Sequence, residues 1–169
     1  MANPTMTLIG SPIVVGSGGA ATMEFTSIPS TYTDLAIKLS LRTANVQGVD
    51  TISPRINGSA ATFTQKWLYG TGSGTGSNSV ASYWGDTEGS TYTINTFSSQ
   101  DIYIPNYAGS NYKSISVDNV TENNATISYA EMIAILWSNT AAITSIGFTS
   151  VNGNFAQYST AYLYGIKNS

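Results

Sequence analysis

The sequence predicts an all-β fold: an antiparallel two-sheet β-sandwich of jelly-roll type with an extended N-terminal arm. Three observations carry this. Apolar residues recur with period two, clearest at Leu35, Ile37, Leu39 and Leu41 against Ala36, Lys38, Ser40 and Arg42, the pattern of a half-buried strand. Turn-forming residues interrupt the alternation at short intervals. No convincing amphipathic helix is present, and many short strands with frequent turns point to a sandwich or barrel. The 169 residues fit one domain, 1–169, with a sizeable core. A jelly roll holds eight main strands in two sheets and leaves room for edge strands. The immunoglobulin-like sandwich fits this length less well, and its Cys-Trp-Cys signature is missing.

The strands are expected in order. Residues 5–10 and 12–16 open the chain. The stretch 1–19 is read as an N-terminal arm or hairpin, with Gly16-Ser17-Gly18-Gly19 closing it. Strand 20–27 stops at Ile28-Pro29-Ser30, because proline donates nothing to a ladder. Strand 33–42 is the alternating segment above. Strand 51–57 ends in Asn57-Gly58, which supplies the positive φ values of a tight hairpin. Strand 63–70 runs into Gly70 to Asn78, a low-complexity Gly/Ser/Thr run expected as a flexible surface loop over 70–79. Strands 79–84, 90–95 and 99–105 follow, the last ended by Pro105-Asn106-Tyr107-Ala108-Gly109. Strand 112–118 carries Ile115 and Val117. Strand 125–138 contains Tyr129 to Trp137, apolar at both parities; a strand covered on both faces reads this way, as does a buried helix. β-Branched and aromatic content favours the strand. Strands 142–150 and 160–167 finish the chain. The expected core is Phe25, Leu35, Ile37, Leu39, Ile56, Ile115, Val117, Ile133, Ile135, Trp137, Ile146, Phe148, Leu163 and Ile166.

Composition narrows the chemistry. There is no histidine, no cysteine, and only 9% charged residues, against about 25% in an average protein. Serine-histidine and cysteine-histidine nucleophiles are therefore impossible, and zinc has no ligands of its usual kinds. Six basic residues stand singly, with net charge −3, so direct nucleic-acid binding is not expected. No apolar run approaches the length of a membrane helix. The N-terminus lacks the pattern of a secretory signal. Oxygen ligands alone could hold calcium, but the polar cluster 118–124 lacks EF-hand spacing and reads as a solvated turn. No metal or cofactor site is assigned. The glycine-rich run matches neither phosphate-binding fingerprint.

Two sets of residues remain as candidates. Glycoside hydrolysis needs only two carboxylates across a cleft; Asp86, Glu88, Asp101 and Glu131 are the choices. Glu131 stands out because Met132, Ile133 and Ile135 beside it are apolar, and burial would raise its pKa. The plainer reading puts Glu131 at an edge or beside a Lys or Arg. The second set is aromatic. Trp67 and Tyr69 precede the glycine-rich run, and Tyr83 and Trp84 follow it. Exposed rings amid Asn and Ser make contact surfaces for proteins or sugars; the competing reading turns them into the core. In the arm, Ile13 and Val14 are the apolar contact candidates.

An ordered series of segments resembles a known group. Phe25-Thr26-Ser27-Ile28-Pro29 leads to Leu41-Arg42, followed by Arg55-Ile56-Asn57-Gly58. Ile102-Tyr103-Ile104-Pro105-Asn106-Tyr107-Ala108 precedes Tyr112-Lys113. Trp137-Ser138, Ala142 to Ile146, Gly153-Asn154-Phe155-Ala156 and Ser159 to Lys167 complete it. Over about Phe25 to Lys167 the chain resembles small β-sandwich structural proteins of tailed bacteriophages, with 70–98 matching least. The resemblance implies a non-enzymatic virion protein: a capsid cement or decoration subunit on the capsid exterior. Its partners would be the major capsid protein and sister copies, in a homotrimer at local three-fold points. The N-terminal segment Ala2 to Val15 would anchor it by strand addition. The alternative is a tail- or fibre-associated protein that stacks host surface glycan on Trp67, Tyr83 and Trp84.

Overall fold

The computed structural model describes residues 5–79, 81–122 and 128–167. Among them the chain is all-β: β1 Met6–Leu8, β2 Ile13–Val14, β3 Thr22–Phe25, β4 Asp34–Leu41, β5 Val49–Ile56, β6 Phe63–Gly70, β7 Thr75–Asn78, β8 Asp86–Glu88, β9 Ser98–Ile104, β10 Lys113–Thr121, β11 Tyr129–Trp137, β12 Ile146–Ser150 and β13 Thr160–Ile166. Two antiparallel sheets form. The large one runs β1-β13-β4-β9-β10-β11-β6-β7, with β2 also on β13; the small one runs β3-β12-β5-β8. From β3 to β6 each strand crosses to the opposite sheet, and β11, β12 and β13 cross again. The result is the expected jelly-roll-type sandwich.

Alternation explains the layers. In β4 the residues Leu35, Ile37, Leu39 and Leu41 are buried while their neighbours are not. Backbone register then lines up one apolar rung across six strands: Leu163, Ile37, Ile102, Val117, Ile133 and Trp67. Met23, Phe25, Ile52, Ile56, Ile146 and Phe148 answer from the small sheet. Of the expected core residues, Ile166 alone is not buried. It shares parity with Tyr162 and Tyr164, and the inward parity of β13 belongs to Ala161, Leu163 and Gly165.

The Asn57-Gly58 turn takes the expected geometry, with φ of 51° and 77° and reciprocal bonds between Ile56 and Ser59. Asn57 does more than turn the chain. Its Oδ1 accepts from the backbone N–H of Thr144 and Ser145, and its Nδ2 donates to the Ala142 carbonyl at 2.8 Å. This pins the segment before β12 and explains why 142–145 is not strand.

Other elements differ from expectation for local reasons. The glycine-rich run is a hairpin, not a loop: β7 pairs with β6 from Trp67↔Asn78 to Gly70↔Thr75. Of the expected strand 79–84, Val80 lies outside the described residues and the others form no strand: Tyr83 N–H bonds Gln65 Oε1 and Trp84 N–H the Ile52 carbonyl instead of a ladder partner. The expected strand 90–95 is a wrapped loop. Its carbonyls are taken by a buried Arg42, whose guanidinium donates to those of Ser90, Tyr92, Thr93 and Thr96. Gly16 to Gly19 does turn, with Gly19 N–H on the Gly16 carbonyl at 3.0 Å. It closes no hairpin, because β2 and β3 lie in different sheets. Residues 1–4 of the expected arm lie outside the described residues; from Thr5 on it lies along β13 of its own chain, with Met6 opposite Ile166 and Ile13 opposite Ala161.

Candidate functional site

One rung along from the apolar series, the same strands place a polar series facing inward: Gln100, Asn119, Glu131 and Tyr69 are consecutive Cα partners on β9, β10, β11 and β6. Parity decides their direction. Each is two residues from an inward apolar neighbour, Ile102, Val117, Ile133 and Trp67 respectively. From the facing side, the Tyr83–Glu88 segment closes over them. Glu131 accepts through both oxygens: from the Tyr83 hydroxyl on Oε1, and from Asn119 Nδ2 and the Asp86 backbone N–H (3.0 Å) on Oε2. Asn119 Nδ2 also donates to the Asp86 carbonyl at 2.9 Å. Gln100 Nε2 donates to the Trp84 carbonyl and to Asn119 Oδ1. The cluster thus ties the two sheets together through polar bonds.

Its electrostatics are set by burial. Asp86 is pushed up to about 7, first by loss of water and then by the negative charge of Glu131; Thr51, which donates to Oδ1 at 3.2 Å, pulls the other way. The Tyr83 hydroxyl is raised by burial and by the Asp86 and Glu131 charges. Gln65 Nε2 and Gln100 Oε1, buried nearby, have no hydrogen-bond partner. Such groups cost free energy, so this rung is an expensive piece of interior.

The carboxylate candidates can now be placed. Asp86 and Glu131 come together, but inside the sandwich rather than across a cleft. Glu131 neither sits at an edge nor pairs with a cation; its partners are a phenol, an amide and a backbone N–H. The acid raised to about 7 is Asp86. Glu88 is fully buried two residues further on, and Asp101 is exposed on the opposite face, paired with Lys38 at 2.7 Å. Among the described residues no group of three or more His, Cys, Asp or Glu could hold a metal ion. Sequence reading missed Gln100 and placed Asn119 in a solvated turn over 118–124, whereas β10 continues to Thr121 and buries both Asn119 and Thr121. Their signal was legible: each is a polar residue at an inward position of an alternating strand.

Of the two readings of the aromatic candidates, the core one holds for Tyr83 and Trp84. Trp84 is fully buried and meets Phe63 and Phe148 edge-on, at 6.3 and 5.8 Å. Tyr83 is buried over Glu131. Neither presents a face to a sugar or a protein. The backbone explains this: Trp84 N–H bonds the Ile52 carbonyl and Ile52 N–H bonds the Gly85 carbonyl, which draws the segment under the small sheet. Trp67 is half-buried and stacks on Tyr69 at 4.4 Å, with Tyr83 at 4.7 Å on its flank. In the arm, Ile13 is half-buried and Val14 exposed.

The outer face of the large sheet offers the surface that those rings do not. The near-continuous apolar run of β11 was expected to be covered on both sides. Instead its burial strictly alternates, leaving Ala130, Met132, Ala134 and Leu136 open. Met132 is 60% exposed beside its ladder partner Leu68, and Val120 faces out opposite Ala130. A shallow depression of about 670 Å³ lies here, lined by Leu68, Ser77, Asp118 and Met132 among others. Charges on this face are few: Asp34, which accepts from the Tyr103 hydroxyl at 2.7 Å, Lys66, bonded to Ser79 Oγ at 2.7 Å, Asp118, and the Lys38–Asp101 pair.

No family model matches the chain, and no curated protein matches it in sequence. Among solved structures, the crystal structure of Caenorhabditis elegans galectin LEC-6 is similar over 96% of this chain and 98% of that one. The identity is 10% and the TM-score 0.27. A likeness at that score carries no argument for this chain.

Proposed function

We propose that this chain is a structural protein of a bacteriophage virion, a capsid cement or decoration subunit that stabilises the head by adhesion rather than by chemistry. The observation that carries the reading is the open apolar row of β11, Ala130, Met132, Ala134 and Leu136, with Leu68 and Val120 beside it. A strand apolar at both parities fits a sheet covered on both sides, and in the single chain only one side of β11 is covered. A second layer, from sister copies or from the shell, would complete it. Low charge suits such contacts, because little of the affinity would be lost to salt screening. The series of segments from Phe25 to Lys167 that resembles phage structural proteins points the same way.

The arm keeps the part the sequence suggested: β1 and β2 bond β13 along one edge, β1 is the outermost strand of the large sheet, and its other edge is open to strand addition by a partner, with Val14 exposed beside it. The glycan-binding alternative loses its platform, since Tyr83 and Trp84 are interior. Cryo-electron microscopy of the virion tests the proposal. The expected result is density for hundreds of copies on the capsid exterior with the β11 face covered. Density confined to the tail, or a β11 face left in solvent in the assembled particle, would overturn it.

A further inference from the structure

The two charged side chains that flank β11 on the outer face have no partner of opposite sign. Asp118 on β10 is the ladder partner of Met132, and Lys66 on β6 is the ladder partner of Ala134. Both are exposed. Asp118 also stands directly opposite Asp101 on β9, and like charges in that position repel. The lysine beside them, Lys38, is held by Asp101 at 2.7 Å. Lys66 has a serine hydroxyl, Ser79 Oγ, and no carboxylate. Strands lie about 4.8 Å apart and two residues rise about 6.8 Å, so the Cα atoms of Asp118 and Lys66 are about 12 Å apart, diagonally across β11. They form no ion pair within the chain; among the described residues Lys38–Asp101 is the only one.

Between those two charges the face is apolar or small: Met132, Ala134 and Leu68. The depression beside Met132 borders Asp118. A second depression, of about 530 Å³, borders Lys66, Ala134 and Leu136. The face therefore has a negative half and a positive half, each with its own apolar trough, on either side of a centre over Ile133. Such a pattern is complementary to itself. A two-fold axis lying in the face, through that centre and perpendicular to the Asp118–Lys66 diagonal, sets the negative half of one copy on the positive half of another, twice by one operation. Facing sheets pack about 10 Å apart, a gap that an extended lysine and a carboxylate span together. The five strands from β9 to β7 in sheet order occupy about 600 Å² in plan at the usual strand spacing and rise, before the relief of their side chains is counted. A standard interface takes roughly 800 Å² per partner. A foreign partner would carry the matching diagonal by coincidence; a second copy carries it by construction.

We propose that this face is the two-fold interface of a homodimer, in which Lys66 of each copy pairs with Asp118 of the other and Met132 packs against Met132 and Leu68 across the axis. This rests on the reading above that the β11 row is covered; it names a second copy as the cover, in a pair rather than the homotrimer that the resemblance implies. The test is sedimentation velocity of the purified chain. Wild type is expected as a dimer. Met132→Lys is expected to lose about tenfold or more in dimer affinity, the range of a central contact. Lys66→Glu and Asp118→Lys are each expected to weaken the dimer by a similar factor, because each sets like charges face to face twice. Mixed in equal amounts, those two variants are expected to associate again as a heterodimer, in which both pairs are of opposite sign. The double variant Lys66→Glu/Asp118→Lys is expected to dimerise alone. All three sites are exposed, and thermal melts verify folding. A monomeric or trimeric wild type overturns the inference and leaves the virion reading to the microscopy. A dimer indifferent to Met132→Lys, or charge reversals that mixing does not rescue, overturns the inference as well. A dimer that behaves as expected, from a chain that is absent from the virion, overturns the virion reading alone.

Discussion

Asp86 makes the stability of this protein depend on pH in an unusual direction. The carboxyl is 6% exposed and is surrounded by Glu131 and Tyr129 on β11, Tyr83 before β8, Asn119 on β10, and Asp50 and Thr51 on β5. No cation is among its partners. Folding moves the acid from 3.8 to about 7, so the folded chain holds a proton that the unfolded chain releases. At about 1.36 kcal/mol per pH unit, the ionised form costs the folded state on the order of 4 kcal/mol. The sign follows from linkage: the folded state binds more protons between those two values, so its stability is fullest below about pH 4 and is lost as pH rises through about 7. The chain has no histidine or cysteine, and comparing wild type with Asp86→Asn by urea unfolding across pH 5 to 8.5 extracts the contribution of Asp86. The expected result is a fall of 2–4 kcal/mol from pH 5 to 8.5, on the order of 5–10 °C in melting temperature for a chain of this size. Asp86→Asn should flatten the profile and exceed wild type at pH 8.5, while exposed Asp101→Asn should keep the wild-type slope. Wild-type stability that is flat or rises over this window, or an Asp86→Asn profile parallel to wild type, would refute the reasoning.

Three further outcomes are expected. Arg42→Met strips the donors from four loop carbonyls, so amide hydrogen exchange should accelerate across 89–97 and stability should fall by about 3 kcal/mol or more, as for other buried charged groups whose partners are left behind. Asn57→Gly keeps the turn geometry but removes the bonds to Ala142, Thr144 and Ser145; unfolding in urea should show a loss of about 1–2 kcal/mol, and Asn57→Ala a larger one, because Ala also tolerates positive φ poorly. Ile37→Ala, in the centre of the apolar rung, should cost about 2–5 kcal/mol by the same measurement.

Local chemistry was enough to read much of the fold. Alternation in β4 and β10 and the Asn57-Gly58 turn identify these elements from adjacent residues, because side-chain direction in a strand depends only on parity. Parity also marks Gln100, Asn119 and Glu131 as inward polar residues, so half of the polar cluster was visible in principle. The other half was not. Asp86 lies 45 residues from Glu131, and only the crossing of β8 beneath β11 brings them together. Trp84 and Tyr83 show the same limit: flanking a glycine-rich run, they read equally as exposed rings or core, and the backbone bonds of Ile52 to Trp84 and Gly85 decide for core.

The sequence by itself determined that this is a β-sandwich without histidine or thiol chemistry, since composition and period-two patterning are properties of the chain alone. Tertiary structure decided which side of β11 is covered, which carboxyl carries the raised pKa, and which loops Arg42 gathers. Each of those depends on groups far apart in the chain meeting in a low-dielectric interior or at an unfilled surface, and no local pattern encodes such a meeting.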